Sequence, residues 1–302
     1  MRVSKIETPE PFNLDYSLEC GQVFHWKKIG EYWHGVLGNG AIKLRQIGEH
    51  LEFTGSSGVD WHDRIQNYFR FDDDLKSIAR VISHDKFVSH ALQKYRGLRI
   101  LRQDPWECML SYICATNTNI PQIERMLDNL CRTFGERMTF DAKEFYTFPS
   151  ADTLAKASVA SIRDCKAGYR AEFIKATANV IAKDVTIFDK IRTYTYGEAR
   201  EELLRKFQQK KIFKGIGPKV ADCVLLFSLD KLEALPIDVW ILRTIVNQYA
   251  RLFDKEFLSK LGHRGSLSFK DYDIISKTMR DYFGKYAGYA QEYIYHYART
   301  LL

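Results

Sequence analysis

The stretch FKGIGPKVADC, residues 213–223, constrains this chain more than any other. Gly215 and Gly217 permit a tight backbone turn, and Pro218 suits the first turn of a helix that starts there. The flanking patterns predict helices over 197–209 and 218–229, so the stretch is a glycine-centred hairpin between two helices. Glycines let a backbone approach a phosphate, and the amides that open the second helix, Val220 among them, can donate to it. From Leu203 to Ala221 there is no acidic residue, whereas Arg205, Lys206, Lys210, Lys211, Lys214 and Lys219 all fall there. Gly215, Gly217, Val220 and Lys214 are therefore expected to hold a nucleic-acid backbone. Such a hairpin grips DNA without reading sequence, and it does not by itself make an enzyme.

Lys219 is the less ordinary member of that cluster. It falls in the first helical turn, near the positive end of the helix dipole, where a cation is disfavoured. A lysine that must lose its proton to react gains from that position, and an ordinary surface lysine does not. Cys223 follows four residues on, so the two share a helix face and can border one pocket. Asp238, in LPIDVW, precedes an apolar stripe at Leu242, Ile245, Val246 and Tyr249. That placement makes it a helix cap. On residues alone, a cap beside an exposed lysine and a reactive pair both remain open.

The 302 residues suffice for two domains or one large one, and 45% apolar content marks an ordinary globular chain. A net charge of +7 is weak support for a polyanionic partner. No apolar run approaches a membrane span. MRVSKIETPEPFNLDYS carries no apolar signal core, so the six irregularly spaced cysteines read as reduced thiols of a cytoplasmic protein. The first part reads as β. GQVFHWKK alternates with Phe24 and Trp26 on one face, YWHGVLGNGAIKLRQI is a hairpin turning at Asn39-Gly40, and HLEFTG is another strand. From about Gly58 the period becomes helical. Asp104-Pro105 opens PWECMLSYICATN, Pro121 opens PQIERMLDNLCRTFG, and further helices fall at 170–184, 239–250, 270–283 and 288–301. The fold class expected is α+β, with an N-terminal antiparallel β-sheet domain over 1–100 and a mainly α-helical domain over 101–302.

GIGPKVADC followed by PIDV resembles the DNA glycosylases of the helix-hairpin-helix superfamily, which have a Gly/Pro-rich loop and an essential aspartate. ECGQVFHW, ICATNTNI, GYRAEFIKA and YAGYAQEYIY are similar to blocks of the 8-oxoguanine DNA glycosylase family, in that order, so the resemblance spans nearly the whole chain. It implies a two-lobed helical domain and a bifunctional enzyme of base excision repair that both excises a base and cleaves the strand. Lys219 would attack C1′ as a neutral amine and form a Schiff base that permits β-elimination. Asp238 would stabilise positive charge on the sugar, while Asp222 would work against the neutral lysine. The lesion carries a hydrogen on N7 where guanine has a lone pair, and the Gly21 carbonyl would accept from it. Gln291 would read the Watson–Crick edge, Tyr295 would stack on the base, and Cys223 would cover its other side. Asn117, Tyr169 and Arg170 would fill the gap left by the flipped base and contact the orphaned cytosine.

Three departures point to a divergent, prokaryotic branch. Better-known members have arginine at the position of Gln122, histidine at Trp240 and an acidic residue at Ala298. The first puts opposite-base selectivity in doubt and implies that it is relaxed. Superfamily rivals with an iron–sulfur cluster need four cysteines after the catalytic block, and no cysteine follows Cys223. Alkyladenine glycosylases generally lack the lysine. Another purine-lesion glycosylase, or a non-catalytic hairpin protein that binds DNA, remain as alternatives. The eight histidines form no ligand-spaced cluster, so no metal or other cofactor is expected beyond a monovalent cation at the hairpin carbonyls. The implied partner is duplex DNA containing 8-oxoguanine, bound by a monomer with no obligate protein partner.

Overall fold

The computed structural model describes residues 3–208, 215–262 and 267–301. Its N-terminal part is a five-stranded antiparallel sheet of β1 (Ser4–Glu7), β2 (Lys27–Ile29), β3 (Tyr32–Leu37), β4 (Gly40–Ile47) and β5 (His50–Gly55), in the order β1-β5-β4-β3-β2. The register pairs Leu37 with Gly40, so the β3–β4 turn is Gly38-Asn39, one residue earlier than the expected Asn39-Gly40. Gly38 takes the positive φ, +58°, that a two-residue hairpin needs at its first central position. Gly40 is bare for another reason. The Trp61 indole lies on it, and a Cβ there would come within 2.6 Å of the ring.

GQVFHWKK is not one strand. Strand structure is confined to Lys27–Ile29, and Gly21–Trp26 runs as a loop. Phe24 and Trp26 are both buried, but in different cores. Trp26 joins Trp33, Phe53 and Trp61 under the sheet, whereas Phe24 joins Ile78, Tyr112 and Leu127 in the helical body. The alternation therefore marks a crossing between two cores. Gln22, 1% exposed, fixes that crossing. Its side chain donates to the Arg99 carbonyl and accepts from the Leu101 amide, both at 2.8 Å, and its carbonyl accepts from Gln103 Nε2 at 2.8 Å.

The expected helices are present at Pro105–Cys114, Ile120–Phe134, Arg170–Lys183, Tyr196–Gln208, Pro218–Ser228, Val239–Gln248, Phe269–Phe283 and Ala287–Leu301. The helical body also takes in Leu75–Ile82 and Lys86–Lys94, whose Leu75, Ile78, Ile82 and Val88 join its core ahead of residue 100. A small hairpin, β6 (Arg137–Phe140) with β7 (Lys143–Tyr146), packs Phe140 against Val36 and Ala41 of the sheet. Nothing in the sequence reading anticipated it. Its strands of four residues are too short for a clear alternation.

Candidate active site

Every residue of the Pro218–Ser228 helix is buried except Lys219. The helix is wedged against Pro105–Cys114 and Tyr196–Gln208. Gly217 is its N-cap and supplies no side-chain hydrogen bond, and the Lys219 and Val220 amides have no partner among the described residues. The nearest atom to a Cβ at Gly217 would be 4.0 Å away, so this helix end is open to a phosphate. Gly215 is bare because a Cβ there would meet the Phe173 Cβ at 2.7 Å. Residues 209–214 lie outside the described residues, and with them Phe213 and Lys214 of the expected turn, Lys210 and Lys211, and part of the expected cation site. The rest of the basic cluster is partly spoken for. Arg205 pairs with Glu202 at 2.6 Å, and Lys206 lies 3.8 Å from Asp184, so these two add little free charge.

Asp238 caps Val239–Gln248, its Oδ1 accepting from the Ile241 amide at 2.8 Å. The cap and the reactive pair prove compatible, because Asp238 and Lys219 line the same cleft of about 890 Å³. Burial raises the Asp238 carboxyl above its ordinary range, while the Ile241 amide and the Lys219 charge act to lower it. Lys219 Nζ lies 5.9 Å from the Tyr112 ring centroid. That ring stacks on Phe227 at 5.6 Å, giving the lysine an aromatic floor. Asp222 does not face Lys219 as expected. It is fully buried and bonded to Tyr196, Tyr272 and Arg200.

Gly21, Cys223, Gln291 and Tyr295 line the same cleft, as the sequence leads one to expect. Gly21 has φ +102°, and a Cβ on it would meet Arg299 Nη1 at 2.7 Å and the Tyr295 ring at 3.0 Å. Both backbone conformation and space therefore demand glycine. Cys223 is 2% exposed, and burial pushes its thiol up, so it serves as a neutral apolar wall. Gln291 is 4% exposed and its Oε1 has no partner among the described residues. A buried amide oxygen left unpaired is costly, and a ligand in the cleft would satisfy it.

Of the residues expected to act as a wedge or at the opposite base, Asn117 and Tyr169 line the cleft. Asn117 is exposed with φ +49°, and Tyr169 is 49% exposed beside it, its hydroxyl 3.5 Å from Asn117 Nδ2. Arg170 differs from expectation. It is 8% exposed, donates to the Thr116 and Asn117 carbonyls and stacks on Tyr169 at 4.6 Å, so it braces the wedge from beneath. Gln122 is exposed in the first turn of Ile120–Phe134 and accepts from the Thr118 hydroxyl. It does not line the cleft.

Two charged cleft residues escaped the sequence reading. Arg299 stacks on Tyr295 at 5.3 Å and donates to the Glu19 carbonyl at 2.8 Å, clasping the loop that carries Gly21. Glu292 is 2% exposed. Helical spacing signals Arg299, four residues past Tyr295. For Glu292 the signal was an acidic residue inside an otherwise apolar and aromatic run. Among the described residues, no three His, Cys, Asp or Glu side chains gather as a metal site would require.

The chain is similar to known proteins over most of its length. Residues 5–109 match the family model described as 8-oxoguanine DNA glycosylase, N-terminal domain. Residues 110–257 match that of the HhH-GPD superfamily base excision DNA repair protein. The N-glycosylase/DNA lyase of Saccharomyces cerevisiae is 32% identical over 308 residues, covering 91% of this chain and 80% of that protein. A probable N-glycosylase/DNA lyase of Methanothermobacter thermautotrophicus is 32% identical over 257 residues, covering 78% and 74%. A solved structure of the Clostridium acetobutylicum 8-oxoguanine glycosylase/lyase, in complex with double-stranded DNA containing cytosine opposite 8-oxoG, superposes with a TM-score of 0.84 at 28% identity, covering 100% of this chain and 98% of that one.

Proposed function

The chain belongs to the 8-oxoguanine DNA glycosylase family within the HhH-GPD superfamily, and from that premise we propose how its residues carry out the reaction. It is a DNA N-glycosylase and an apurinic/apyrimidinic lyase of base excision repair, acting on duplex DNA that contains 8-oxoguanine. The observation that carries the mechanism is the meeting of Lys219 and Asp238 in one cleft, with Lys219 the one unburied residue of its helix.

The extruded lesion enters between Cys223 and Tyr295. The Gly21 carbonyl accepts from N7–H, and Gln291 pairs with the Watson–Crick edge. Lys219 Nζ, as the free amine, bonds to C1′ while the C1′–N9 bond breaks. The electron pair stays with the purine, which takes up the proton that the attacking nitrogen releases. Asp238 stabilises the positive charge that develops on the sugar. The C1′–O4′ bond then opens to a Schiff base, and loss of a C2′ proton expels the 3′ phosphate. The helix end at Gly217–Val220 grips the backbone, and Asn117 and Tyr169 fill the gap. We further propose that the protein acts as a monomer, needs no metal or cofactor, and discriminates weakly among opposite bases. The first comparison to make is with an 8-oxoguanine duplex under borohydride. Reduction of the C=N bond traps a covalent adduct with the wild type and none with Lys219→Gln. An adduct that persists in Lys219→Gln would assign the nucleophile elsewhere.

A further inference from the structure

Glu292 is the buried acid that the mechanism above leaves unused. It lies next to Gln291 on the Ala287–Leu301 helix, is 2% exposed, and lines the cleft that holds Lys219 and Asp238. Its Oε1 has no hydrogen-bond partner among the described residues, and the same is true of the neighbouring Gln291 Oε1. Two adjacent buried oxygens, unpaired at one cleft, make a donor-hungry floor. Leaving such groups unsatisfied is among the more costly things a fold can do, so the pair is built for something that arrives with N–H groups.

We infer that Glu292 is a specificity-determining residue that takes an N–H of the extruded purine through its free carboxylate oxygen, beside the contacts made by Gly21 and Gln291. This rests on the glycosylase reading above. The chemistry fits the lesion class, because 8-oxoguanine offers N–H donors on both the imidazole and the Watson–Crick sides. An ionised carboxylate is acceptor-only and forms stronger hydrogen bonds than a neutral amide.

The surroundings set when that acceptor is available. Cys20 faces Glu292 from the Gly21 loop through a side-chain hydrogen bond, and the other titratable groups whose charge it feels are Tyr112 of the Pro105–Cys114 helix, Cys223 of the lysine helix, Asp238 of the cap, and Tyr295 and Arg299 of its own helix. Burial raises the carboxyl to about 7, with Cys20 and Arg299 lowering it and Asp238 raising it. The accepting form therefore grows in as pH rises through neutrality.

The test is Glu292→Gln, which keeps the shape and one oxygen but replaces the other with a donor. Base excision from an 8-oxoguanine duplex and cleavage of a duplex with a preformed abasic site are measured under single turnover. Their ratio removes effects on Lys219, which serves both reactions. The ratio is expected to fall about tenfold in Glu292→Gln. Its rise with a midpoint near pH 7 should be lost, while any contribution from Asp238 stays. A merely structural Glu292 would change the melting temperature and leave ratio and pH profile alone, and that outcome overturns the inference. Wild-type protein inert on both duplexes would overturn the glycosylase reading and this inference with it. Wild-type activity on both, with an unchanged ratio in the variant, overturns the inference alone.

Discussion

The Tyr272 hydroxyl lies 2.8 Å from Asp222 Oδ2. It also accepts from the Ile237 amide at 3.1 Å. One oxygen thus joins the helix that carries Lys219 to the residue just before Asp238. Asp222 is held from the other side by Tyr196 at 2.8 Å and Arg200 at 3.1 Å. The two catalytic candidates therefore sit on elements locked together by a buried polar knot rather than by apolar packing alone. Asp222, three residues past Lys219, spends its charge on Arg200 and not on the lysine.

Tyr272→Phe removes that oxygen and nothing else. Asp222 loses a donor and the Ile237 amide loses its acceptor, both in the interior. The expected cost is about 1–3 kcal/mol, read as a lower melting temperature. Excision should fall more than DNA binding does, because the Lys219–Asp238 spacing loosens. Unchanged melting and unchanged excision would show that the knot is idle.

Asp238→Asn separates the two roles of that residue. Asparagine caps helices about as well as aspartate, so the Ile241 bond and the melting temperature should be kept. The charge facing the sugar is lost, and such electrostatic contributions are worth a few kcal/mol. Single-turnover excision should drop by at least about 100-fold. A loss under about threefold would reduce Asp238 to a cap.

Gly21→Ala tests the base shelf. The alanine must adopt φ near +102° and place its Cβ 2.7 Å from Arg299 Nη1 and 3.0 Å from the Tyr295 ring. Arg299 can swing away, but the ring and the backbone must give. The loop should shift, and lesion excision should fall about tenfold or more while binding to undamaged duplex holds. Equal losses on both would mean that the loop serves general DNA binding instead.

What could be read in advance followed from local rules. The helices expected after residue 100 were legible from a 3.6-residue period and, at some of them, a cap, as at Asp104-Pro105 and at Asp238, whereas the short helices Ala151–Lys156, Val159–Ile162, Ile187–Thr193 and Lys255–Gly262 were not. The candidate catalytic and base-pocket residues were legible only as blocks of a family, since Gly21 and Gln291 come from opposite ends of the chain. Periodicity failed at Phe24 and Trp26, where one segment feeds two cores. Tyr272 was missed because its importance lies in long-range hydrogen bonds, to Asp222 and from the Ile237 amide, that no spacing rule encodes, whereas Arg299 and Glu292 carried only the local signals of helical spacing and of an acid in an apolar run.

Glu292 also makes a prediction about stability. Its folded carboxyl is raised from 4.5 to about 7. A raised carboxyl contributes stability that is fully present below the unfolded value and is lost as pH rises through the folded one. The window is thus about 4.5 to 7, and full loss is worth about 3 kcal/mol. Glu292→Gln carries no such burden. Its melting temperature relative to wild type should climb between pH 5 and pH 8. A difference independent of pH would mean that Glu292 titrates normally.

The last prediction concerns the base left behind. An orphaned cytosine presents acceptors at N3 and O2, and a guanidinium with its rigid fork of donors suits that edge. Here the position carries Gln122, exposed and bonded through its oxygen to Thr118. It can turn either a donor or an acceptor toward a base, so it can adapt to all four. Arg170 is no substitute, because its guanidinium is buried on the Thr116 and Asn117 carbonyls. Excision of 8-oxoguanine should therefore vary by less than about tenfold, roughly 1.4 kcal/mol, across the four opposite bases. Gln122→Arg should add preference for cytosine by raising that rate or lowering the others. Single-turnover rates for all four pairings, in both proteins, decide it. A strong cytosine preference already present in the wild type and unmoved in the variant would show that Gln122 takes no part. The selectivity would then have to come from Asn117 and the aromatic wedge at Tyr169.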